Sequence, residues 1–125
     1  MIEQEIQSKG LTAPRITPAD IAANIASEHY FTAADGDNTE SAVSFGDLDG
    51  SSYKHLKLLT FCVLVLRNGF TVSGESACAS PENFNAEIGR KIARENAIQK
   101  IWPLMGYQLK GNSHPRLSNS TQESV

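Results

Sequence analysis

The chain reads as an α+β protein: an N-terminal helix, a central antiparallel sheet built on a β-hairpin, and a long C-terminal helix, assembled as an oligomer. Three observations predict this. Leu56 to Leu66 is an almost unbroken apolar run that ends at Asn68-Gly69, and beyond it Phe70, Val72 and Gly74 alternate with Thr71, Ser73 and Glu75. An Asn-Gly pair between two such runs is a strong hairpin signal. Ser80-Pro81 then opens a stretch to Trp102 whose apolar residues recur at helical spacing. Thr17-Pro18-Ala19-Asp20 marks an earlier helix start, with Thr17 as N-cap and Pro18 in the first turn.

Taken in order, residues 1–16 are mixed in character and expected to be flexible. The first helix carries Ile21 and Ile25 on one face and is expected to run to about Glu28, with Tyr30 and Phe31 beyond it as anchors or as stacking groups. Ala34 to Ser52 is rich in Asp, Gly, Ser and Asn and reads as a surface loop. Asp35-Gly36-Asp37 resembles the start of a calcium loop, but Glu40 stands where that loop needs glycine, and its twelfth position is not acidic. The strand through Leu66 is apolar on both faces and needs cover on each. In a simple two-residue turn Cys62 would lie opposite Glu75 and Cys78 opposite Leu59, so the two cysteines are not a cross-strand pair and read as reduced thiols. The second helix is expected from Ser80, its N-cap, to about Ile101, because Pro103 disfavours helical geometry at Trp102. Residues 17–110 form one domain in this reading, and the polar, serine-rich 111–125 a disordered tail.

Charge and composition narrow the function. At 125 residues and a net charge of −3 the chain is one ordinary domain. From Ile16 to Tyr53 there are seven acids and no Lys or Arg; from Lys54 to Lys110 there are eight bases against four acids. A local +4 is weak for tracking a polynucleotide and suits a small anion better. No apolar run reaches the ~20 residues of a membrane span, and the N-terminus lacks the basic and apolar parts of a signal peptide. His29, His55 and His114 are scattered, so no metal or other cofactor is expected. Phosphate-binding and nucleophile-elbow glycine motifs are absent, and the protein is not expected to be an enzyme.

On the long helix, Phe84, Ile88, Ile92, Ile98 and Trp102 form one stripe, read as core. Ala86, Gly89, Ala93 and Ala97 form a second. A mid-helix glycine costs about 1 kcal/mol relative to alanine, so Gly89 is either a close-approach point for a helix or ligand, or a tolerated defect. Asn83, Glu87, Arg90, Arg94 and Ile101 share a third stripe. Glu87 reaches Arg90 or Lys91, Glu95 reaches Lys91, and Arg94 is left as the least paired cation. The face is a solvated set of ion pairs or a phosphate clamp, since guanidinium groups grip phosphate with forked hydrogen bonds.

The runs Ser27-Glu28-His29-Tyr30-Phe31-Thr32-Ala33, Leu59 to Leu64, Asn68-Gly69-Phe70-Thr71-Val72, Gly74-Glu75-Ser76-Ala77-Cys78, Ser80-Pro81-Glu82-Asn83-Phe84 and Glu87 to Ala93 resemble a family of small tailed-phage proteins. Lys100-Ile101-Trp102 and Gly106-Tyr107 close the match, and the block from Asn68 to Ala93 is its most specific part. The family includes the first-described Thoeris anti-defence protein. The resemblance implies a protein of the host cytoplasm that sequesters cyclic ADP-ribose isomers, and in some members cyclic trinucleotides, without degrading them. It also implies assembly from dimers up to a hexamer, with pockets at subunit boundaries. The residues expected to bind the ligand come from the helix reading: Arg90, Arg94 and Lys91 for phosphate, Phe70 and Tyr30 for stacking, Asn83 for base or ribose edges. A rival reading is a phage early protein that inhibits a host protein through its hairpin or its acidic loop.

Overall fold

The computed structural model describes residues 2–10, 13–46 and 48–117. It is an α+β domain in which three antiparallel strands, in the order β1-β2-β3, lie under one long helix. The elements are α1 (Ile2–Ser8), α2 (Pro18–Ala23), β1 (Ile25–Thr32), α3 (Ala33–Asp37), α4 (Tyr53–Leu56), β2 (Leu59–Leu66), β3 (Thr71–Ala77), a 3₁₀ turn (Pro81–Asn83) and α5 (Ala86–Ser113).

The start of α2 is as expected. Thr17 accepts a hydrogen bond from the Asp20 N–H, and Asp20 accepts one from the Thr17 N–H, a complete capping box. The end is not. The helix stops at Ala23, and residues 25–32, expected as helix and anchor, form strand β1. Ile21 and Ile25 are four apart, which suits a helix, yet both reach the same core from different elements. A strand apolar on both faces sits stably in the middle of a sheet, and β1 supplies its second neighbour. A bulge between Ile25 and Ser27 lets Ile25 keep to the core side. The N-terminal segment expected to be flexible carries α1, tied back by a forked pair between Arg15 and Glu3 at 2.7 and 2.6 Å.

The hairpin register is displaced by one residue from the simple turn. Leu66 donates its N–H to the Phe70 carbonyl across a three-residue loop, with Gly69 at φ 90°. Only glycine adopts that conformation without strain. Cys62 therefore faces Gly74 rather than Glu75, and Leu59 faces Ala77. Along β2, Thr60, Cys62, Leu64 and Leu66 are buried under α5, while Leu59, Phe61, Val63 and Val65 point to the other face and are half-buried. Phe31 stacks beside Phe61 there, ring centroids 5.7 Å apart.

α5 corrects three expectations. Its N-cap is Asn85, whose side chain accepts the Ile88 N–H; Ser80 makes no capping bond and precedes only the 3₁₀ turn. It does not end at Ile101 but runs through Pro103 to Ser113, taking in Gly111 to Ser113 of the expected tail. Pro103 removes one N–H donor, but burial of Ile101 and partial burial of Met105 hold the helix together on either side of it. Residues 118–125 of that tail lie outside the described residues.

The third correction concerns its faces. The stripe pressed closest to the sheet is the small one: Gly89, Ala93, Ala97 and Ile101 are buried, while of the expected core stripe Ile98 and Trp102 pack half-buried against the core and Ile88 and Ile92 are 55% and 46% exposed. The cause lies in β3. A Cβ on Gly74 would fall 2.3 Å from the Ala93 carbonyl oxygen and 2.3 Å from the Ala97 nitrogen. Helix backbone thus rests on strand backbone, and only small residues fit between them. The close approach that Gly89 suggested is to the chain's own Thr60, 3.1 Å from where its Cβ would be.

Candidate functional site

Of the six expected ligand residues, the fold brings two together. Tyr30, on the α5 side of β1, and Arg90, on the second turn of α5, line one cleft of about 150 Å³ with Phe31, Thr32, Asp35, Thr60, Phe84 and Ala86. Arg90 makes no hydrogen bond or ion pair among the described residues. Ala86 is the first residue of α5, so the helix N-terminus and its positive dipole end open onto the same cleft. Phe84 is the linker between the 3₁₀ turn and α5, half-buried with an extended backbone, rather than part of a core stripe. Thr32 caps α3 by accepting the Asp35 N–H, and Asp35 accepts the Thr32 N–H in return. The reciprocal pair holds a carboxylate at the cleft wall.

The cleft thus has a guanidinium, a carboxylate and aromatic rings within one small volume. Chemically this suits a ligand with mixed groups: phosphate for Arg90, hydroxyl donors for Asp35, a planar ring for Tyr30 and Phe84. At 150 Å³ it is well below the roughly 300–1,000 Å³ of a complete small-molecule pocket.

Arg94 was expected to be the most available cation and is not. Its Nε and Nη2 donate to Glu28 at 3.0 and 3.2 Å, joining α5 to β1. Glu28 also accepts the Tyr30 hydroxyl at 2.6 Å. The Arg94 guanidinium, and then the Tyr30 hydroxyl, hold the Glu28 carboxyl below the usual carboxylate range. Burial, reinforced by Glu28, raises the Tyr30 phenol well above its ordinary value, so the ring stays neutral. Burial likewise pushes up the Cys62 thiol beneath it. Arg94 therefore positions Tyr30 through Glu28. The partner was invisible while Glu28 was read as helical.

Lys91 pairs with Glu87 at 3.3 Å on the exposed surface. Asn83 is exposed on the 3₁₀ turn and does not line the cleft. Phe70 stands at the opposite end of the sheet, beside the hairpin turn. The residues the sequence reading missed are Phe84, Thr32 and Asp35. The Thr32-to-Asp35 spacing, a capping-box pattern like that of Thr17 and Asp20, was the available signal.

Another hollow, about 500 Å³, is lined by Asp37, Ser44, Phe45, Leu48, Gly50, Ser52, Tyr53 and Leu56. With an aspartate and no base in its wall it has the wrong sign for an anion. Among the described residues no group of three or more His, Cys, Asp or Glu is placed to hold a metal ion, and no helix is long and apolar enough to cross a membrane.

A three-stranded antiparallel sheet under one long helix, with an arginine–aromatic cleft where the helix begins, defines a small α+β class of domain. Residues 16–112 match the model of the Phage protein (N4 Gp49/phage Sf6 gene 66) family, and the chain belongs to that family. No curated protein and no solved structure matches it.

Proposed function

We propose that this phage protein captures a cyclic nucleotide signal of host immunity, a cyclic ADP-ribose isomer or a cyclic trinucleotide, in the host cytoplasm without breaking it down. The observation that carries the reading is Arg90, a guanidinium with no partner among the described residues, beside Tyr30, Phe84 and the first turn of a 28-residue helix. Arg90 takes a phosphate, Asp35 a ribose hydroxyl, and the rings the base. The partial cleft is completed by a second copy, which encloses the ligand and slows its release. Leu59, Phe61, Val63 and Val65, left on the open face of β2, with Phe31 beside them, are the surface a second copy covers. Dimers assembled into a hexamer would give several such pockets.

Isothermal calorimetry with a cyclic ADP-ribose isomer and a cyclic trinucleotide tests this. At least one should bind, and Arg90→Ala should weaken it by about 1.5–3 kcal/mol, the size of a lost charge-assisted hydrogen bond. Tight binding unaffected by Arg90→Ala would place the site elsewhere.

A second reading, inhibition of a host protein, draws on the acidic loop. Val43, Phe45 and Leu48 are 78%, 89% and 68% exposed there, among Asp37, Glu40 and Asp49. An apolar loop bearing only negative charge suits a basic partner surface. In that case no cyclic nucleotide would raise the melting temperature.

A further inference from the structure

At the other end of the sheet from the Arg90 cleft, the β2–β3 turn, the end of α2 and the second half of α5 bound a hollow of about 220 Å³. Leu66, Leu104 and Met105 form its apolar part, Phe70 its aromatic wall, and Asn24, Asn68 and Gln108 its polar groups. Among the described residues no charged side chain lines it, and the neighbouring Arg67 is engaged outside it, its Nε donating to the Ala23 carbonyl at 3.2 Å.

The turn decides what these amides offer. Asn68 Oδ1 accepts the Phe70 N–H at 2.9 Å, and Asn24 Oδ1 accepts the Arg67 N–H at 3.3 Å. The Asn24 carbonyl also accepts the Arg67 N–H, at 2.9 Å, locking α2's end to the turn. Each asparagine oxygen is thereby engaged by backbone, and the NH₂ group is what remains to donate. Gln108, exposed on α5, has both ends of its amide free among the described residues. The hollow is therefore lined by two amides whose NH₂ groups are left to donate, one adaptable amide able to accept, an aromatic ring and an apolar floor. Its 220 Å³ is below the roughly 300 Å³ at which drug-sized sites begin, room for a single ring. From Arg90 to Gln108 the helix rises about 27 Å, so one nucleotide does not reach both places.

We propose that this hollow is a second binding site, for an uncharged planar ring with an acceptor–donor–acceptor edge, the imide edge of a uracil base. Its two carbonyls accept from the Asn24 and Asn68 amides, its ring N–H donates to Gln108 Oε1, and Phe70 stacks on its face. A ring without that edge forgoes these hydrogen bonds and binds more weakly by each one lost. The site is independent of the Arg90 cleft and of what binds there.

The test is a titration of the ¹⁵N-labelled full chain with uridine, followed by NMR at the side-chain amides of Asn24, Asn68 and Gln108 and the backbone of Phe70. Saturable shifts at these groups are expected with uridine. N3-methyluridine, which cannot donate from the ring, should bind about tenfold or more weakly, as one lost hydrogen bond implies. Gln108→Ala should weaken uridine to a similar degree while leaving the fold intact, since Gln108 is exposed and alanine favours helix. The proposal is overturned by no saturable shift up to about 10 mM uridine, ten times a ~1 mM Kd. Equal response to uridine and N3-methyluridine, or shifts confined to Tyr30, Phe84 and Arg90, overturns it as well.

Discussion

Replacing Gly74 with alanine adds one methyl group at the tightest contact in the domain. Its new Cβ would lie 2.3 Å from the Ala93 oxygen, 2.3 Å from the Ala97 nitrogen and 2.8 Å from the Asn96 carbonyl carbon. All three atoms are backbone of α5, so no side-chain rotation relieves the overlap, and the helix must lift from the sheet by about 1 Å or more. Overpacking a core typically costs about 1–3 kcal/mol, and a rigid backbone neighbour puts this case at the upper end, about 3 kcal/mol. Gly74→Ala should then melt roughly 10 °C below the wild type, at about 3–4 °C per kcal/mol for a chain of this length. Gly89→Ala is the matched control. Its Cβ meets only the Thr60 hydroxyl at 3.1 Å, which can yield, and alanine returns about 1 kcal/mol of helix propensity; the sum should be near zero. Ala97→Gly should not rescue Gly74→Ala, because the obstruction is the Ala97 nitrogen rather than its methyl group. Urea titration and thermal melts of the four chains decide the matter. A Gly74→Ala protein within about 0.5 kcal/mol of wild type, the range of ordinary surface changes, would refute direct helix-on-strand contact.

The Glu28 carboxyl, held low by Arg94 and Tyr30, contributes stability that is present above its ordinary value near 4.5 and lost as pH falls through its lowered folded value. Both partners are about a third exposed, so the contribution is at most ~1 kcal/mol; Glu28→Gln should narrow the loss of melting temperature between about pH 5 and pH 3. Arg94→Ala should weaken ligand binding less than Arg90→Ala and lower stability more, read by calorimetry and thermal melts side by side. Phe61→Lys places a charge at the centre of the open sheet face and should turn an oligomer into a monomer by light scattering, with the fold retained by circular dichroism. After incubation and heat denaturation, a bound cyclic nucleotide should be recovered unchanged by chromatography.

Where the sequence was legible, a local rule was decisive. Thr17-Pro18 capped a helix because capping needs only four residues, and Asn68-Gly69 closed a hairpin because glycine alone accepts the positive φ. β1 was missed because Ile21 and Ile25 matched a helical period, and nothing within residues 25–32 states that β2 requires a second neighbour. Of the stripe expected as the core of α5, Ile98 and Trp102 do pack inward, and the misplacement of Ile88 and Ile92 has a similar reason. Size ranks Ile88 and Ile92 as core, but the choice was made by Gly74, twelve residues before the helix begins. The candidate cleft inherits both errors: Arg90 was found on its own helix, while its relation to Tyr30 and Asp35, and the loss of Arg94 to Glu28, depend on where β1 lies.

That placement divides the domain along a seam. β2, β3 and α5 follow one another directly, whereas β1 joins β2 only across residues 33–58, a longer loop to close. From chain order alone, contacts within the hairpin and its helix are expected to form first, with β1 docking last and released first. Tyr30, Thr32 and Asp35 belong to the late piece and its continuation, Phe84 and Arg90 to the early one. Anything held between them bolts the two together, so amide hydrogens of β1 exchange more slowly in the loaded protein, and the emptied cleft is where the molecule first comes undone.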